Sequence, residues 1–138
     1  MRKAVSTAAV AIAAVLGAGE AMAGDATGVW MRSSGSSKIR IDACGSALCG
    51  TVVWEREPRK DVHNPDPAKR DEPITGRRVL LGMKPTGTAD QWKGEVYNAE
   101  DGKTYTGYVT LQGDGTLKLQ GCVLGGMICK SDNWTRAR

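Results

Sequence analysis

Histidine occurs once in these 138 residues, as His63. Histidine-dependent nucleophilic chemistry therefore has a single candidate, and no serine signature such as GxSxG accompanies it. The acidic stretch around His63 lacks the DxDxDG order of calcium loops. The four cysteines fall in two pairs, CGSALC (44–49) and CVLGGMIC (122–129), both wider than the CxxC knuckles that hold structural zinc. No basic cluster interleaved with aromatics is present, which argues against a nucleic-acid partner. After residue 23 no ten-residue stretch carries a helical apolar stripe, and no repeat or low-complexity segment occurs. These absences point away from a helical bundle and from an enzyme, and call for no cofactor.

The start reads as an address. Met1-Arg2-Lys3 is a short positive region, Ala4 to Gly19 is an Ala/Val-rich apolar run, and Ala21-Met22-Ala23 has the small-x-small pattern of a signal-peptidase site. The run is too short for a membrane span, and Glu20 ends it. Residues 1–23 are thus expected to be a cleaved signal, with one domain over 24–138 and a periplasmic or secreted location. Losing Arg2, Lys3 and Glu20 lowers the formal charge from +4 to +3, an excess that fits solubility or contact with anionic envelope surfaces.

What is present is punctuation. Gly and Asp-Gly divide the chain into short β-like segments, the pattern of an all-β succession of antiparallel hairpins. Each hairpin can be tested for whether its register sets apolar residues opposite one another. Opposing Cys44 and Cys49 across a four-residue loop sets Ile41 against Val52 and Ile39 against Trp54. Pairing Asn98 with Lys103 sets Val96 against Tyr105 and Trp92 against Val109. The Gly113-Asp114-Gly115 turn pairs Leu111 with Leu117 and Val109 with Leu119. Upstream, Gly28 to Arg32 reads as an opening strand with Trp30 opposite Ile39, and residues 74–84 read as a further strand.

The same registers align Gly94, Gly107 and Gly121 across three neighbouring strands, on the apolar face. Glycine weakens a strand there, so the row marks either a bend or room for a ligand or a crossing side chain. Opposing Cys122 and Cys129 sets Lys130 against Gly121, Asp132 against Leu119 and Trp134 against Leu117. Both charges then point inward beside the glycines, unless a bulge after Cys129 turns them to solvent.

Four cysteines allow three pairings. Chain entropy favours a distant link, at about 4.6 kcal/mol against about 2.2 to 2.5 for each short one. Geometry opposes it, because in an up-and-down order the two cysteine hairpins lie at opposite ends. Cys44–Cys49 and Cys122–Cys129 are the expected disulfides, and an exported chain meets the oxidising conditions they need.

Residues 57–76 form a connection of largely polar residues, DVHNPDPAKR (61–70) among them. Asp61, Asn64 and Asp66 make a weak calcium candidate, but the ligand set is incomplete, and Asn-Pro and Asp-Pro also start turns. The prolines favour a defined shape, so the segment reads as an ordered flap with His63 exposed on it.

The order GVW, CGSALCG, VVW, NPDP, LLGMKP, YNAEDGKTY, GDGTLKLQGCVLG and NWTR spans nearly the whole chain after residue 23. It closely resembles the bacterial exported family catalogued as domain of unknown function 2147, departing from its pattern at Thr75-Gly76-Arg77. Gly28-Val29-Trp30 and the late Arg136 are similar to the first-strand GxW and late arginine of lipocalins. The resemblances imply a small antiparallel up-and-down β-barrel, lipocalin-like, of about eight short strands with one long ordered loop. They carry over no catalytic residues.

Two functions follow. One is binding of a small apolar or amphipathic molecule in the envelope, within an interior lined by Trp30, Ile39, Trp54, Tyr105 and the glycine row, with Lys130 or Asp132 at its polar end. The other is an envelope protein-interaction or structural module whose barrel is filled. The mature protein is expected to begin at Gly24; N-terminal sequencing of periplasmic material that starts at Met1 refutes export by this signal.

Overall fold

The computed structural model describes residues 25–137, so the expected signal segment and the start at Gly24 lie outside the described residues. Eight strands follow one another: β1 (Gly28–Met31), β2 (Ser37–Cys44), β3 (Ala47–Glu55), β4 (Arg78–Pro85), β5 (Gln91–Asn98), β6 (Lys103–Gln112), β7 (Thr116–Val123) and β8 (Ile128–Arg136). Each pairs antiparallel with its sequence neighbour, and β8 returns to β1, giving a closed up-and-down barrel. Alternating directions place the β1–β2, β3–β4, β5–β6 and β7–β8 connections at one end. The other end receives the remaining three turns and both chain termini of the barrel.

The downstream registers are those the sequence predicts. Asn98 pairs with Lys103, Val96 with Tyr105 and Trp92 with Val109. Leu111 pairs with Leu117 and Val109 with Leu119. On the last hairpin Lys130 pairs with Gly121, Asp132 with Leu119 and Trp134 with Leu117, without a bulge. Trp30 pairs with Ile39 as expected, and the segment read as 74–84 is strand from Arg78.

The first cysteine hairpin differs. Its turn is two residues, Gly45-Ser46, with Gly45 at φ 67°, the Gly-first pattern of tight hairpins. Cys44 therefore pairs with Ala47 and Cys49 with Asp42, which sets Ile41 against Gly50 and Ile39 against Val52. A bulge between Lys38 and Ile39 then turns Trp54 to the outer face, opposite Lys38. There the indole is 39% exposed, with Lys38 Nζ 5.2 Å from its ring centroid. Trp54 is not an interior residue.

Both expected disulfides are formed, Cys44–Cys49 and Cys122–Cys129, at opposite ends of the barrel. Such links fit an oxidising compartment.

The end that holds the termini is filled. Trp30, Ile41, Met83, Val109 and Leu117 are buried there, and burial of such side chains stabilises by roughly 1.5–3 kcal/mol each. Arg136 seals this end. Its guanidinium lies 4.3 Å from the Trp30 ring centroid and donates to the carbonyls of Asp25, Thr27 and Asp114. Trp30 Nε1 donates to the Ala26 carbonyl at 2.9 Å, so the buried indole has its partner.

The glycine row exists, with Gly94 opposite Gly107 and Gly107 opposite Gly121. Most of its space is taken. A Cβ on Gly94 would lie 2.5 Å from the Leu81 carbonyl oxygen and 2.6 Å from Met83 Sδ. One on Gly107 would collide with Val96 Cγ2 and approach Met83 Cε at 3.3 Å. These two glycines admit Met83 and the irregular β4 backbone rather than a ligand. Gly121 differs, because the nearest atom to its Cβ position is Tyr105 Cβ at 3.9 Å. Replacing Gly94 or Gly107 by Ala is therefore expected to lower stability by about 1–3 kcal/mol through overpacking, and Gly121→Ala to be nearly neutral. Urea unfolding of the three variants checks this; equal effects at all three positions contradict it.

Candidate functional site

The opposite end of the barrel is hollow. A cavity of about 700 Å³ opens between the β1–β2, β3–β4, β5–β6 and β7–β8 connections. Its floor is the buried layer of Ile39, Val52, Leu80 and Trp134, and its wall includes Val96 and Leu119. Strand alternation makes this lining: positions 37 and 39 of β2, 119 and 121 of β7, and 130, 132 and 134 of β8 all face inward. Ile74 joins the apolar wall from the long β3–β4 loop.

Among the residues proposed from sequence, Ile39, Tyr105, Gly121, Lys130 and Asp132 border this cavity. Trp30 lies below it in the filled end, Trp54 lies outside, and Gly94 and Gly107 are covered by Met83 and Val96. Ile74, read from sequence as the start of a strand over 74–84, reaches the wall instead from the loop that precedes β4.

The two inward charges have different surroundings. Asp132 is engaged: Arg32 Nε lies 3.6 Å away, Trp134 Nε1 donates to Oδ2 at 2.8 Å, and Ser33 Oγ donates to Oδ1. Lys130 is exposed at the rim and has no ion pair among the described residues. Across the mouth, Tyr105 donates its hydroxyl to Asp101. That bond lowers the Asp101 carboxyl below its ordinary range and raises the Tyr105 phenol. Glu55 is buried, accepting from Thr75 Oγ1 at 3.1 Å and pairing with Arg59 Nε at 3.4 Å. Arg59 reaches on to Glu100 at 2.8 Å, and this bond first, then Glu55, raises its guanidinium above the usual value. Among the described residues, the mouth therefore offers one uncommitted cation, Lys130, above an apolar chamber.

Residues 57–76 are an ordered loop, braced by a bridge between Lys60 and Pro73 and a short 3-10 turn over Pro67–Lys69. Asp61 is fully buried in it. Its carboxylate accepts from Tyr97 Oη at 2.7 Å and from Asn64 Nδ2 at 2.9 Å, and it pairs with Arg77 Nε at 2.9 Å. The Arg77 Nε–H is not aligned for a hydrogen bond, so that contact is an ion pair only. Asn64 Oδ1 accepts from Asp66 N, and Asp66 caps the 3-10 turn through Ala68 N. The oxygens proposed as calcium ligands are thus spent on fastening the loop. His63 is exposed, and its backbone carbonyl packs against Gly102 so closely that a Cβ there would overlap it. The stretch DVHNPDPAKR is covering structure, clasped to β5 and the β5–β6 turn.

Burial and the adjacent Asp61 carboxylate push the Tyr97 phenol up to about 12. An unfolded tyrosine titrates near ~10. The folded state holds that proton more tightly, so this contribution to stability is fully present below pH ~10 and is lost as pH rises toward about 12. Unfolding measured across this window is expected to show a decline in stability that Tyr97→Phe reduces. An identical decline in Tyr97→Phe contradicts the clasp.

Over residues 28–136 the sequence matches the family described as "Uncharacterized protein conserved in bacteria (DUF2147)". The fold is similar to that of a solved Helicobacter pylori structure, protein HP1028, described as belonging to the lipocalin family. The TM-score is 0.74 and the identity 22%, over 83% of this chain and 84% of that one. At that identity the likeness concerns the fold. No match was found among curated proteins.

Proposed function

The chain belongs to the bacterial family DUF2147, and from that footing we propose that its barrel takes up a small amphipathic molecule in the cell envelope. The carrying observation is the chamber of about 700 Å³ with an apolar wall and, at its rim, Lys130, which has no ion pair among the described residues. That volume lies within the ~300–1,000 Å³ of ordinary small-molecule sites, which combine apolar walls with a few placed polar groups. The apolar body rests on Ile39, Val52, Leu80 and Leu119, and the polar end, anionic by complementarity, meets Lys130. Asp132 keeps Arg32 and Trp134 as partners and shapes the mouth.

An empty chamber weighs against an interaction module with a filled barrel. The reading is binding rather than catalysis: His63 sits on the outer loop, and all four cysteines are in disulfides. An envelope location agrees with two disulfides and with the signal-like start.

The test uses a carboxylate-headed fluorescent probe, 11-(dansylamino)undecanoic acid. Saturable binding with a blue-shifted emission is expected. Gly121→Leu puts a branched side chain into the open volume beside Gly121 and should abolish uptake while the circular dichroism of the barrel persists. Lys130→Glu should weaken it about tenfold, the scale of one charge-assisted hydrogen bond. Unchanged uptake in Gly121→Leu places the probe elsewhere and sinks the reading.

A further inference from the structure

The large apolar side chains that stand exposed among the described residues are unevenly distributed. Trp54, Val62, Val123, Leu124, Met127 and Ile128 all lie toward the open end, and the closed end has none. Four of them form the tip of the β7–β8 hairpin, where Leu124 is 68% and Met127 84% exposed. Residues 122–129 carry no charge, and the Cys122–Cys129 disulfide staples the base of the tip. Val123 and Ile128 also border the mouth of the chamber, so the tip is its lip.

The backbone supplies an independent observation. Leu124, Gly125 and Gly126 have φ of 54°, 66° and 95° in succession. Glycine enters this left-handed region without strain, and asparagine does so far more readily than leucine. Leu124 thus occupies a strained backbone position while exposing its side chain to water. Neither folding nor packing gains from it, and strained residues of this kind cluster at functional positions.

We propose that this tip inserts into the surface of a lipid bilayer, seating the open end of the barrel on the membrane. A rigid, uncharged apolar hairpin suits the headgroup–acyl boundary. Lys130, directly after the stapled cysteine, sits where an anionic headgroup would meet it. A protein partner fits less well, because a lone hairpin tip cannot approach the ~1,000 Å² that a stable interface buries. The docked orientation points the chamber at the lipid, so an amphipathic ligand would pass between them without crossing water. Docking itself does not require the chamber to be loaded.

Flotation with vesicles of phosphatidylethanolamine and phosphatidylglycerol tests this, using protein expressed as the full chain and purified in the form the cell produces. Wild type is expected to float. Leu124→Asn and Met127→Asp should each reduce the vesicle affinity about tenfold, the scale of one buried apolar side chain. Leu124→Asn relieves backbone strain, so it should melt no lower than wild type, and both variants should keep dansyl-probe uptake. Wild type remaining at the bottom of the gradient overturns the proposal, as do variants that float like wild type. Concentration-dependent self-association lost in Leu124→Asn, without flotation, would overturn it in favour of a protein-binding tip. Loss of probe uptake in wild type bears on the chamber alone and leaves the flotation result to stand by itself.

Discussion

The barrel closes through a seam of two paired positions, Trp30 with Arg136 and Met31 with Thr135. So short a ladder needs support, and Arg136 provides it. A planar guanidinium can stack on an indole and still direct several N–H groups outward in its plane, which a lysine cannot do. Here it covers Trp30 while Nη1 donates to Thr27 at 2.9 Å, Nη2 to Asp25 at 3.1 Å and Nε to Asp114 at 2.8 Å. One side chain ties the N-terminal segment, the β6–β7 turn and the last strand together. Gly28 belongs to the same arrangement, since a Cβ there would lie 2.9 Å from Arg136 Nη1.

This seal divides the interior. Below the middle of the barrel, Trp30, Met83 and Val109 fill the space, and Gly94 and Gly107 yield theirs to Met83 and Val96. Above it, Gly121 faces open volume, and the long loop adds Ile74 to the wall. The loop is held beside the mouth by two charge clusters: Asp61 with Arg77 and Tyr97, and Glu55 with Arg59 and Glu100. A buried carboxylate such as Asp61 is tolerated because its partners are all supplied, and removing one of them would leave an unpaired charge. One half of this small barrel is filled by side chains, and the other holds the chamber.

Much of the architecture was legible because glycine turns and apolar pairing act on the same short segments. From β5 to β7 each turn admits one register that sets apolar against apolar, and the structure has it; the β7–β8 register follows instead from opposing Cys122 and Cys129. The first cysteine hairpin misleads because a disulfide tolerates diagonal as well as opposed partners. Gly45 permits a tighter turn, and a bulge then takes Trp54 outside. The glycine row was visible, but its purpose at Gly94 and Gly107 was not. The atoms that fill it belong to Val96 and to Met83, the latter on a strand whose bulges no local pattern announces. The Asp61–Tyr97 bond joins residues 36 apart in sequence through a loop of irregular path, so spacing could not reveal it. Lys130 and Asp132 were legible as inward residues only if no bulge followed Cys129, and the structure has none; that Asp132 is already partnered depends on Arg32, across the β1–β8 seam.

The account rests on the chamber being a binding site rather than an incidental void. Native mass spectrometry of the protein taken from its own envelope fraction addresses this without choosing a ligand beforehand. The account predicts wild-type ions carrying the added mass of one amphipathic small molecule, released on collisional activation, and bare ions from Gly121→Leu prepared alongside. Bare wild-type ions under conditions that preserve the fold, or an identical adduct on both proteins, would contradict it.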